Sequence, residues 1–300
     1  MSDLYPNLPF SGSYTALVTP FTSAGTLDEA AFEKLVDWQI EQGTHGLVPV
    51  GTTGESPTLS HAEHDRVVEM CVKTANGRVP VIAGAGSNST EEAVRLSRHA
   101  EAVGADAVLI VSPYYNKPTQ AGLKAHFSAV ADAVSIPVII YDIPGRSIVR
   151  LEDEVLAELA QHPNIAGIKD ATADCGRPTR LLNLIGDQFC QLSGEDATVL
   201  PYLAAGGQGC ISVVSNIAPA LCAELHTAWA KDKDKDRALA LHRQLMPLHD
   251  ALFCEASPGP VKYAAERLGL CGAKTRMPLV EIADSSKKTV DRALEAAGLL

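Results

Sequence analysis

The 300-residue chain has few basic residues and no long apolar run, and each shortage excludes a class of function. Its 25 Lys and Arg are outnumbered by 36 Asp and Glu, which gives a formal net charge of -11 and a pI near 5.3. No basic patch stands out, so nucleic acid and anionic membranes are not expected as partners. No apolar stretch reaches the ~18 residues that a membrane-spanning helix requires. An anionic substrate is still compatible with this charge, because a binding site needs only one or two local cations.

Paired cysteines and a targeting signal are also missing from the sequence. The seven cysteines are an odd number, are scattered along the chain and form no C-x-x-C pair. This usage is typical of reduced, mostly buried thiols in a cytosolic protein. The N-terminus has neither a basic region nor an apolar core, so no secretory signal peptide is expected. Together these features predict a cytoplasmic protein.

Several well-known catalytic motifs are absent as well. There is no G-x-S-x-G elbow and no Walker A motif. The segment 84–87 (Gly-Ala-Gly-Ser) follows a predicted strand but lacks the third glycine of a dinucleotide-binding loop. His61 and His64 lie at the beginning of a predicted helix, without a clear third ligand and without the H-E-x-x-H order. A metal site is therefore not expected.

Short apolar runs rich in Val and Ile alternate with longer segments of helical spacing. Eight of these runs are predicted as strands, at 15–18, 46–50, 79–83, 107–111, 138–142, 165–169, 189–193 and 209–213. Near-continuous apolar strands separated by helices indicate a parallel sheet that is covered on both faces. Eight such units predict a (β/α)8 TIM barrel over residues 1–225. A doubly wound open sheet is the alternative, but it usually has fewer strands.

The helices are predicted from their starting signals and from the pattern of the last quarter of the chain. The spacing Ser/Thr-x-x-Glu, which is typical of a capping box, occurs at Thr26, Ser60 and Ser89. Residues 226–300 show helical patterns and no convincing strand, and no linker precedes them. We therefore predict a C-terminal helical extension that packs on the barrel.

Lys169 is the strongest candidate for chemistry. It stands at the end of the apolar run 165–168 and is followed by Asp170. Burial strips an ammonium of its hydration and favours the neutral amine. A neutral amine can attack a ketone and form a Schiff base. The alternative is a lysine that extends from the end of a strand to water.

Polar segments follow five of the predicted strands. The active site of a (β/α)8 barrel lies at the C-terminal ends of its strands, so these segments would converge on one rim. They are 51–56 (Gly-Thr-Thr-Gly-Glu-Ser), 112–118 (Ser-Pro-Tyr-Tyr-Asn-Lys-Pro), 141–146 (Tyr-Asp-Ile-Pro-Gly-Arg), 169–170 (Lys-Asp) and 193–196 (Ser-Gly-Glu-Asp). Tyr141 can move protons beside the lysine, and Arg146 offers a fork for a carboxylate. Each segment also fits an ordinary role, such as a turn, an aromatic core or a surface charge, but their joint placement favours function.

These segments resemble the dihydrodipicolinate synthase family, also called 4-hydroxy-tetrahydrodipicolinate synthases, of the pyruvate-dependent class I aldolase superfamily. The resemblance covers essentially the whole chain, and its most specific parts are 51–56, 114–118, 141–146 and 167–170. It implies a lyase that joins pyruvate to L-aspartate 4-semialdehyde through a Schiff base, in the diaminopimelate route of lysine biosynthesis. It also implies that no metal or organic cofactor is needed, because the lysine itself is the electron sink.

The resemblance assigns catalytic roles to five residues. Lys169 would condense with the ketone of pyruvate, and Tyr141 would shuttle protons to the carbinolamine and the enamine. Thr53 would bind the pyruvate carboxylate and relay protons with Tyr141. Tyr115 would complete the relay from a neighbouring subunit, and Thr52 would support it.

Three further positions are implied to bind substrate. Arg146 would hold the carboxylate of the semialdehyde, and Ile211 would offer backbone contacts near pyruvate. Gly194 is the third position predicted to bind substrate. Sialic-acid lyases tend to lack an arginine after the Pro-Gly pair, so Arg146 favours the synthase branch. Another pyruvate-dependent aldolase, acting on N-acetylneuraminate or a 2-keto-3-deoxy sugar acid, is the nearest alternative. A non-catalytic amino-acid sensor on the same barrel is the alternative from another class.

The resemblance also implies an assembly and an inhibitor. The family is usually a homotetramer built as a pair of tight dimers, and lysine inhibits many members allosterically at the dimer interface. The positions that match this lysine site are Ser56, His61, His64, Asn88, Glu92 and Tyr114. Pro57 stands where the family often has alanine, which leaves lysine sensitivity open. Asp142 stands where the family often has asparagine, and the sequence does not predict its effect.

Overall fold

The computed structural model describes residues 4–300, which contain one eight-stranded sheet. The strands are β1 (Gly12–Ala16), β2 (Gly46–Val48), β3 (Ile82–Gly84), β4 (Ala107–Val111), β5 (Val138–Asp142), β6 (Ile165–Asp170), β7 (Cys190–Ser193) and β8 (Gly209–Ser212). Their order is β2-β1-β8-β7-β6-β5-β4-β3. Helices separate the consecutive strands, and this is the (β/α)8 TIM barrel that the sequence predicts. Residues 1–3 of the predicted barrel lie outside the described residues.

Helices occupy most of the remaining described chain. They are α1 (Glu29–Glu41), α2 (His61–Ala75), α3 (Thr90–Ala102), α4 (Gln120–Ala133), α5 (Pro144–Ser147), α6 (Asp153–Leu159), α7 (Arg177–Ile185), α8 (Val199–Ala204), α9 (Pro219–Ala230), α10 (Lys235–Ala251), α11 (Gly259–Arg267) and α12 (Asp284–Ala297). The segment 226–300 is helical and has no strand, as the sequence predicts. None of the helices in residues 4–300 is both long and apolar enough to cross a membrane.

The chain forms two compact units. The first comprises the described residues up to Gly12 together with Val81–Ile211, and it holds β3 to β7. The second comprises Ser13–Pro80 and Ser212–Leu300, and it holds β2, the first two helices and the last four. The division of the chain into a barrel over 1–225 and an extension over 226–300 stays a prediction.

The central strands of the first unit are buried apolar segments in parallel register. Every residue of β5 is buried, and β4 is buried except at its last residue. Within the ladder, Tyr141 of β5 pairs with Lys169 of β6. Gly167 allows β6 to lie close to β7, since a Cβ there would be 2.5 Å from the carbonyl oxygen of Cys190. These strands therefore fix the spacing of the polar residues at their C-terminal ends.

Helix packing organises the second unit. Helix α10 packs against both α9 and α12 and buries Leu241, Leu245 and Leu248 along one face. Helix α12 contributes Val290 and Leu294, which are fully buried. Apolar side chains at these helical intervals account for the extension without any strand.

Cysteine usage agrees with the expectation of reduced thiols. All seven cysteines are free, and four of them are buried: Cys71, Cys190, Cys210 and Cys222. Burial raises the pKa of the Cys190 thiol to about 11, although a hydrogen bond from the backbone of Phe10 opposes the shift. A thiol with so high a pKa stays protonated at neutral pH and is unreactive.

Candidate active site

Lys169 and Tyr141 lie side by side at the C-terminal ends of β6 and β5. Each is the penultimate residue of its strand, and the two are register partners. The Lys169 Nζ lies 4.1 Å from the centroid of the Tyr141 ring. Both residues are 6% exposed, so Lys169 does not extend to water. The arrangement places a buried primary amine against a phenol, which suits an amine that acts as a nucleophile beside a proton carrier.

Gly194 makes room for the Lys169 side chain. It follows β7 directly, and its N–H donates to the carbonyl oxygen of Asp170 over 2.7 Å. A Cβ at this position would lie 2.8 Å from the Cβ of Ala171 and 3.2 Å from the Cε of Lys169. The backbone can therefore approach the lysine closely because residue 194 has no side chain.

Glu195 is a charged neighbour of this amine to which the sequence gives no role. It is half-buried, and burial together with the Asp196 carboxylate raises its pKa. The side chains of Lys169 and Arg146 oppose that rise. Glu195 thus lies close to both basic side chains, and its place directly after Gly194 was the signal that could have identified it.

Arg146 and Ile211 occupy contrasting positions in the first unit. Arg146 is exposed and belongs to the four-residue helix α5, which Pro144 starts at a favourable helical position. Its exposure leaves the guanidinium accessible to a solute. Ile211 is buried within β8 and is 1% exposed, and its backbone contact with a ligand stays a prediction.

Asp142 is the acidic residue whose effect the sequence does not predict, and the structure gives it a partner. Its carboxylate is fully buried and accepts a 2.7 Å hydrogen bond from Arg177 Nη1. Burial raises the pKa of Asp142, while the Arg177 guanidinium opposes the shift. The extra charge beside the catalytic strand is therefore neutralised within the first unit.

The loop 51–56 is held in place inside the second unit. Thr53 is buried and Thr52 half-buried, within a turn closed by the Gly54 N–H on the carbonyl oxygen of Gly51 at 3.1 Å. The Thr19 hydroxyl donates to the carbonyl oxygen of Gly54 at 2.7 Å. These contacts fix the backbone on either side of Thr53.

A buried ion pair ties the same loop to helix α11. Glu55 has a φ of 56°, and its carboxylate accepts a 2.7 Å bond from Lys262 Nζ. Both side chains are fully buried, and Lys262 also donates to the carbonyl oxygen of Thr19 at 2.9 Å. The Arg276 backbone N–H donates to the other Glu55 oxygen at 2.9 Å. Because the contact spans 207 positions of sequence, local patterns gave no sign of it.

Three of the predicted lysine-site positions lie together in the first unit. Tyr114 is half-buried, and burial and the Glu92 carboxylate raise its pKa, while hydrogen bonds with the Asn88 backbone and the Ser87 side chain oppose the shift. The Ser87 hydroxyl also donates to Glu92. Tyr115, by contrast, is 94% exposed and has a φ of 70°. A large aromatic residue held in this strained conformation and facing solvent is available to another molecule.

The other three predicted lysine-site positions lie in the second unit. Ser56 begins the short 3-10 turn Ser56–Thr58, in which Pro57 is exposed. His61 is exposed at the start of α2, and His64, one turn later, is buried. Between residues 4 and 300, no three His, Cys, Asp or Glu side chains are grouped so that they could hold a metal ion.

Comparison with known proteins identifies the family. Residues 9–297 match the model of the Dihydrodipicolinate synthetase family. The chain belongs to this family. It is thus an enzyme, a lyase of the class I aldolase type, as the resemblance in the sequence implies.

Individual members of the family match the chain over nearly its full length. A 4-hydroxy-tetrahydrodipicolinate synthase of Gluconacetobacter diazotrophicus is 59% identical over 97% of this chain and 98% of its own. A dihydrodipicolinate synthase structure from Acinetobacter baumannii, complexed with pyruvate, is 44% identical with a TM-score of 0.94, covering 97% of this chain and 99% of its own. A structure from Cyanidioschyzon merolae with lysine bound is 38% identical, also with a TM-score of 0.94, and covers 97% and 99%.

Proposed function

We propose that this enzyme condenses pyruvate with L-aspartate 4-semialdehyde to form 4-hydroxy-tetrahydrodipicolinate, a step of diaminopimelate and lysine biosynthesis. The observation that carries the proposal is the buried Lys169 amine, 4.1 Å from the Tyr141 ring at the ends of two paired strands. Relatives with this activity in their names match almost the whole chain.

In this reaction Lys169 Nζ attacks the ketone carbon of pyruvate, and loss of water from the carbinolamine leaves a Schiff base. Removal of a proton from the pyruvate methyl group gives an enamine, whose carbon attacks the aldehyde. The amino group of the second substrate then closes the ring on the former ketone carbon and releases the lysine. We assign the proton transfers to Tyr141, Thr53 and Tyr115, with Thr52 in support, on the strength of the family resemblance.

The substrate contacts follow the same assignment. Thr53 binds the pyruvate carboxylate, while Gly194 and the backbone of Ile211 border the bound keto acid. Arg146 binds the carboxylate of the semialdehyde, because a guanidinium forms paired hydrogen bonds with that group. The steps use only the lysine as electron sink and call for no metal or organic cofactor.

We further propose a homotetramer in the cytoplasm, with lysine as an allosteric inhibitor. The exposure and strained backbone of Tyr115 support a contact with a neighbouring subunit. The grouping of Asn88, Glu92 and Tyr114 supports a site for an amino acid, since an amide and a carboxylate can hold an ammonium. Ser56, His61 and His64 would complete that site, and Pro57 beside Ser56 removes an N–H from it.

A substrate panel tests the proposed reaction against its rivals. With pyruvate and L-aspartate 4-semialdehyde the enzyme should consume both, and it should not cleave N-acetylneuraminate or 2-keto-3-deoxy sugar acids. Cleavage of a sugar acid without turnover of the semialdehyde would identify a different pyruvate aldolase. Lysine binding with no turnover of any substrate would identify an amino-acid sensor.

Arg146→Ala tests which substrate the arginine binds. The KM for the semialdehyde should rise by about ten-fold or more, because a charged hydrogen-bonding partner is lost. The KM for pyruvate should change far less. Arg150→Ala is the matched control, since Arg150 is a nearby exposed arginine paired with Asp174. Equal effects of Arg146→Ala on both KM values would contradict its assignment.

A further inference from the structure

Arg177 is a fully buried cation surrounded by carboxylates in the first unit. It is the first residue of α7, and its side chain has no exposed surface. Its Nη1 donates to Asp142 and its Nε to Asp153, each over 2.7 Å, while its Nη2 donates to the carbonyl oxygen of Leu151 at 2.7 Å. Asp170 lies 3.5 Å from the same Nη1. One guanidinium nitrogen, Nη1, thus lies close to carboxylates at the ends of two neighbouring strands.

These two carboxylates directly follow the residues proposed to react. Asp142 pairs with Asp170 in the ladder of β5 and β6, one step beyond the pair of Tyr141 and Lys169. Successive side chains of a strand point to opposite faces of the sheet. The two carboxylates therefore lie on the face opposite the amine and the phenol.

Two buried carboxylates at adjacent strand ends would repel each other without a cation between them. Asp142 is fully buried and Asp170 is 2% exposed, so water does little to screen them. Asp170 has other partners, since its Oδ1 accepts from the N–H and the hydroxyl of Thr172 at 2.9 and 2.6 Å. Among the described residues, Asp142 accepts, besides the bond from Arg177, only long 3.3 Å contacts from the Leu151 N–H. Arg177 is therefore the cation that offsets the repulsion between the Asp142 and Asp170 carboxylates.

We propose that Arg177 is a positioning residue for the Schiff-base reaction, which holds the ends of β5 and β6 at the separation that sets Lys169 against Tyr141. It does so by bridging the carboxylates of Asp142 and Asp170 from behind. The inference rests on the proposed function, because it concerns the efficiency with which Lys169 reacts with pyruvate. Arg177 itself would touch no substrate.

Charge balance supplies a test that a general loss of stability would not mimic. The wild-type trio of two carboxylates and one guanidinium carries one net negative charge. Arg177→Met leaves two facing carboxylates and no cation. Arg177→Met with Asp142→Asn returns the trio to one negative charge, although it removes more native hydrogen bonds. A role in stability alone predicts that folded Arg177→Met reacts as fast as wild type, whereas a positioning role through charge predicts a slower single variant and recovery in the double variant.

The experiment compares full-length wild-type protein with Arg177→Met, the double variant and Arg180→Met. Arg180 is the matched control, because it lies one turn along α7 and forms half-exposed ion pairs with Asp153 and Asp174. The readouts are the rate of pyruvate adduct trapped by borohydride, kcat, and KM for both substrates. Arg177→Met should lower kcat and the trapping rate by about ten-fold or more, as expected for a misplaced reacting group. The KM for the semialdehyde and all constants of Arg180→Met should stay within about two-fold of wild type.

The double variant decides the outcome. Recovery of most of the lost trapping rate supports the proposal, even if its melting temperature is lower than that of Arg177→Met. A double variant no faster than the single variant, or an Arg177→Met as fast as wild type, would overturn it. Should Arg177→Met not fold, a double variant that folds and reacts supports the proposal and one that does not fold overturns it. A wild-type chain that forms no adduct would instead refute the proposed function, and this inference with it.

Discussion

At the scale of single residues, the space beside Lys169 depends on a residue without a side chain. Gly194→Ala would place a Cβ 2.8 Å from Ala171 and 3.2 Å from the Lys169 Cε. The lysine must move, so we expect kcat to fall by about ten-fold or more while the fold is retained. Gly176→Ala is the control, because its Cβ would meet nothing closer than 3.4 Å. Steady-state kinetics with thermal unfolding checks this, and an unchanged kcat would mean that Lys169 has more room than we infer.

The residues proposed to react could be predicted from the sequence more readily than the buried ion pairs that hold the site together. Lys169 and Tyr141 could be identified because each closes a recognisable apolar run and because their segments resemble a family. Arg177 and Lys262 could not, since their carboxylate partners lie 35 and 207 positions away. A buried ion pair leaves no local pattern, and a lysine or arginine inside a helix is indistinguishable in sequence from a surface charge.

At the scale of secondary-structure elements, the three predicted helix starts differ in the capping hydrogen bonds that the structure shows. Ser60 forms a complete capping box with Glu63. Ser89 accepts from the Glu92 N–H, as predicted, although the Glu92 carboxylate accepts from Ser87 instead. The prediction at Thr26 was wrong: Asp28 caps α1 by accepting from the Ala31 N–H. The Asp28 carboxylate stands next to the first turn and displaces the weaker threonine cap.

This difference between Ser60 and Thr26 can be measured. Ser60→Ala should lower the free energy of unfolding by about 1 kcal/mol, the usual cost of losing an N-cap. Thr26→Ala is the matched control and should cost less than about 0.5 kcal/mol, because the Thr26 hydroxyl bonds to that of Thr22 at the surface. Urea unfolding of both variants gives the comparison. Equal losses would mean that Thr26 contributes to the start of α1 after all.

Glu63, which completes the capping box with Ser60, predicts that the stability of the fold depends on pH. The Arg276 guanidinium lowers the pKa of Glu63 from 4.5 to about 2, although burial opposes the shift, and bonds from Ser60 add to the lowering. A carboxyl with a lowered folded-state pKa stabilises the fold above its unfolded pKa and loses that contribution as pH falls through the folded value. Glu63→Gln should therefore be less stable than wild type at neutral pH. The difference in free energy of unfolding between wild type and Glu63→Gln should become smaller as pH falls from 4.5 to about 2. A difference that stayed constant over this range would contradict the lowered pKa of Glu63.

Strand boundaries were predicted well for β4 and β5 and less well for β1 and for β3, which begins at Ile82 rather than at 79. The limits of β4 and β5 agree with the sequence, because their Val and Ile runs end abruptly at polar residues. Strand β1 begins at Gly12, three residues before the predicted start at 15. Its polar residues are buried: the backbone N–H of Ser13 donates to His45 Nδ1 and the Thr15 hydroxyl donates to Gln39. Composition alone assigns such residues to a loop.

At the scale of the whole molecule, the fold class was predictable and the assembly stays a prediction. Eight repeats of strand and helix are a periodic signal, so errors in single boundaries do not change the count. An interface has no such period. The solvent-facing Tyr115 is the residue of the first unit that we propose to contact a neighbouring subunit.

The proposed homotetramer can be tested through this tyrosine. Tyr115→Phe removes a hydroxyl from the relay but keeps the ring, so we expect a fall in kcat of about ten-fold or more. Sedimentation and circular dichroism should give the same assembly and fold as wild type. A Tyr115→Phe turnover equal to that of wild type would refute the shared relay. Wild-type protein that is monomeric at micromolar concentration would refute the proposed tetramer.

The proposed reaction depends on capture of pyruvate by the Lys169 amine, and mass spectrometry of the reduced adduct detects that capture. The wild-type chain, treated with pyruvate and borohydride and then digested, should carry the added mass on the peptide that contains Lys169. Lys169→Ala should carry none. Lys262 is also buried but is paired with Glu55. An adduct on Lys262, or on no lysine at all, would show that Lys169 does not capture pyruvate.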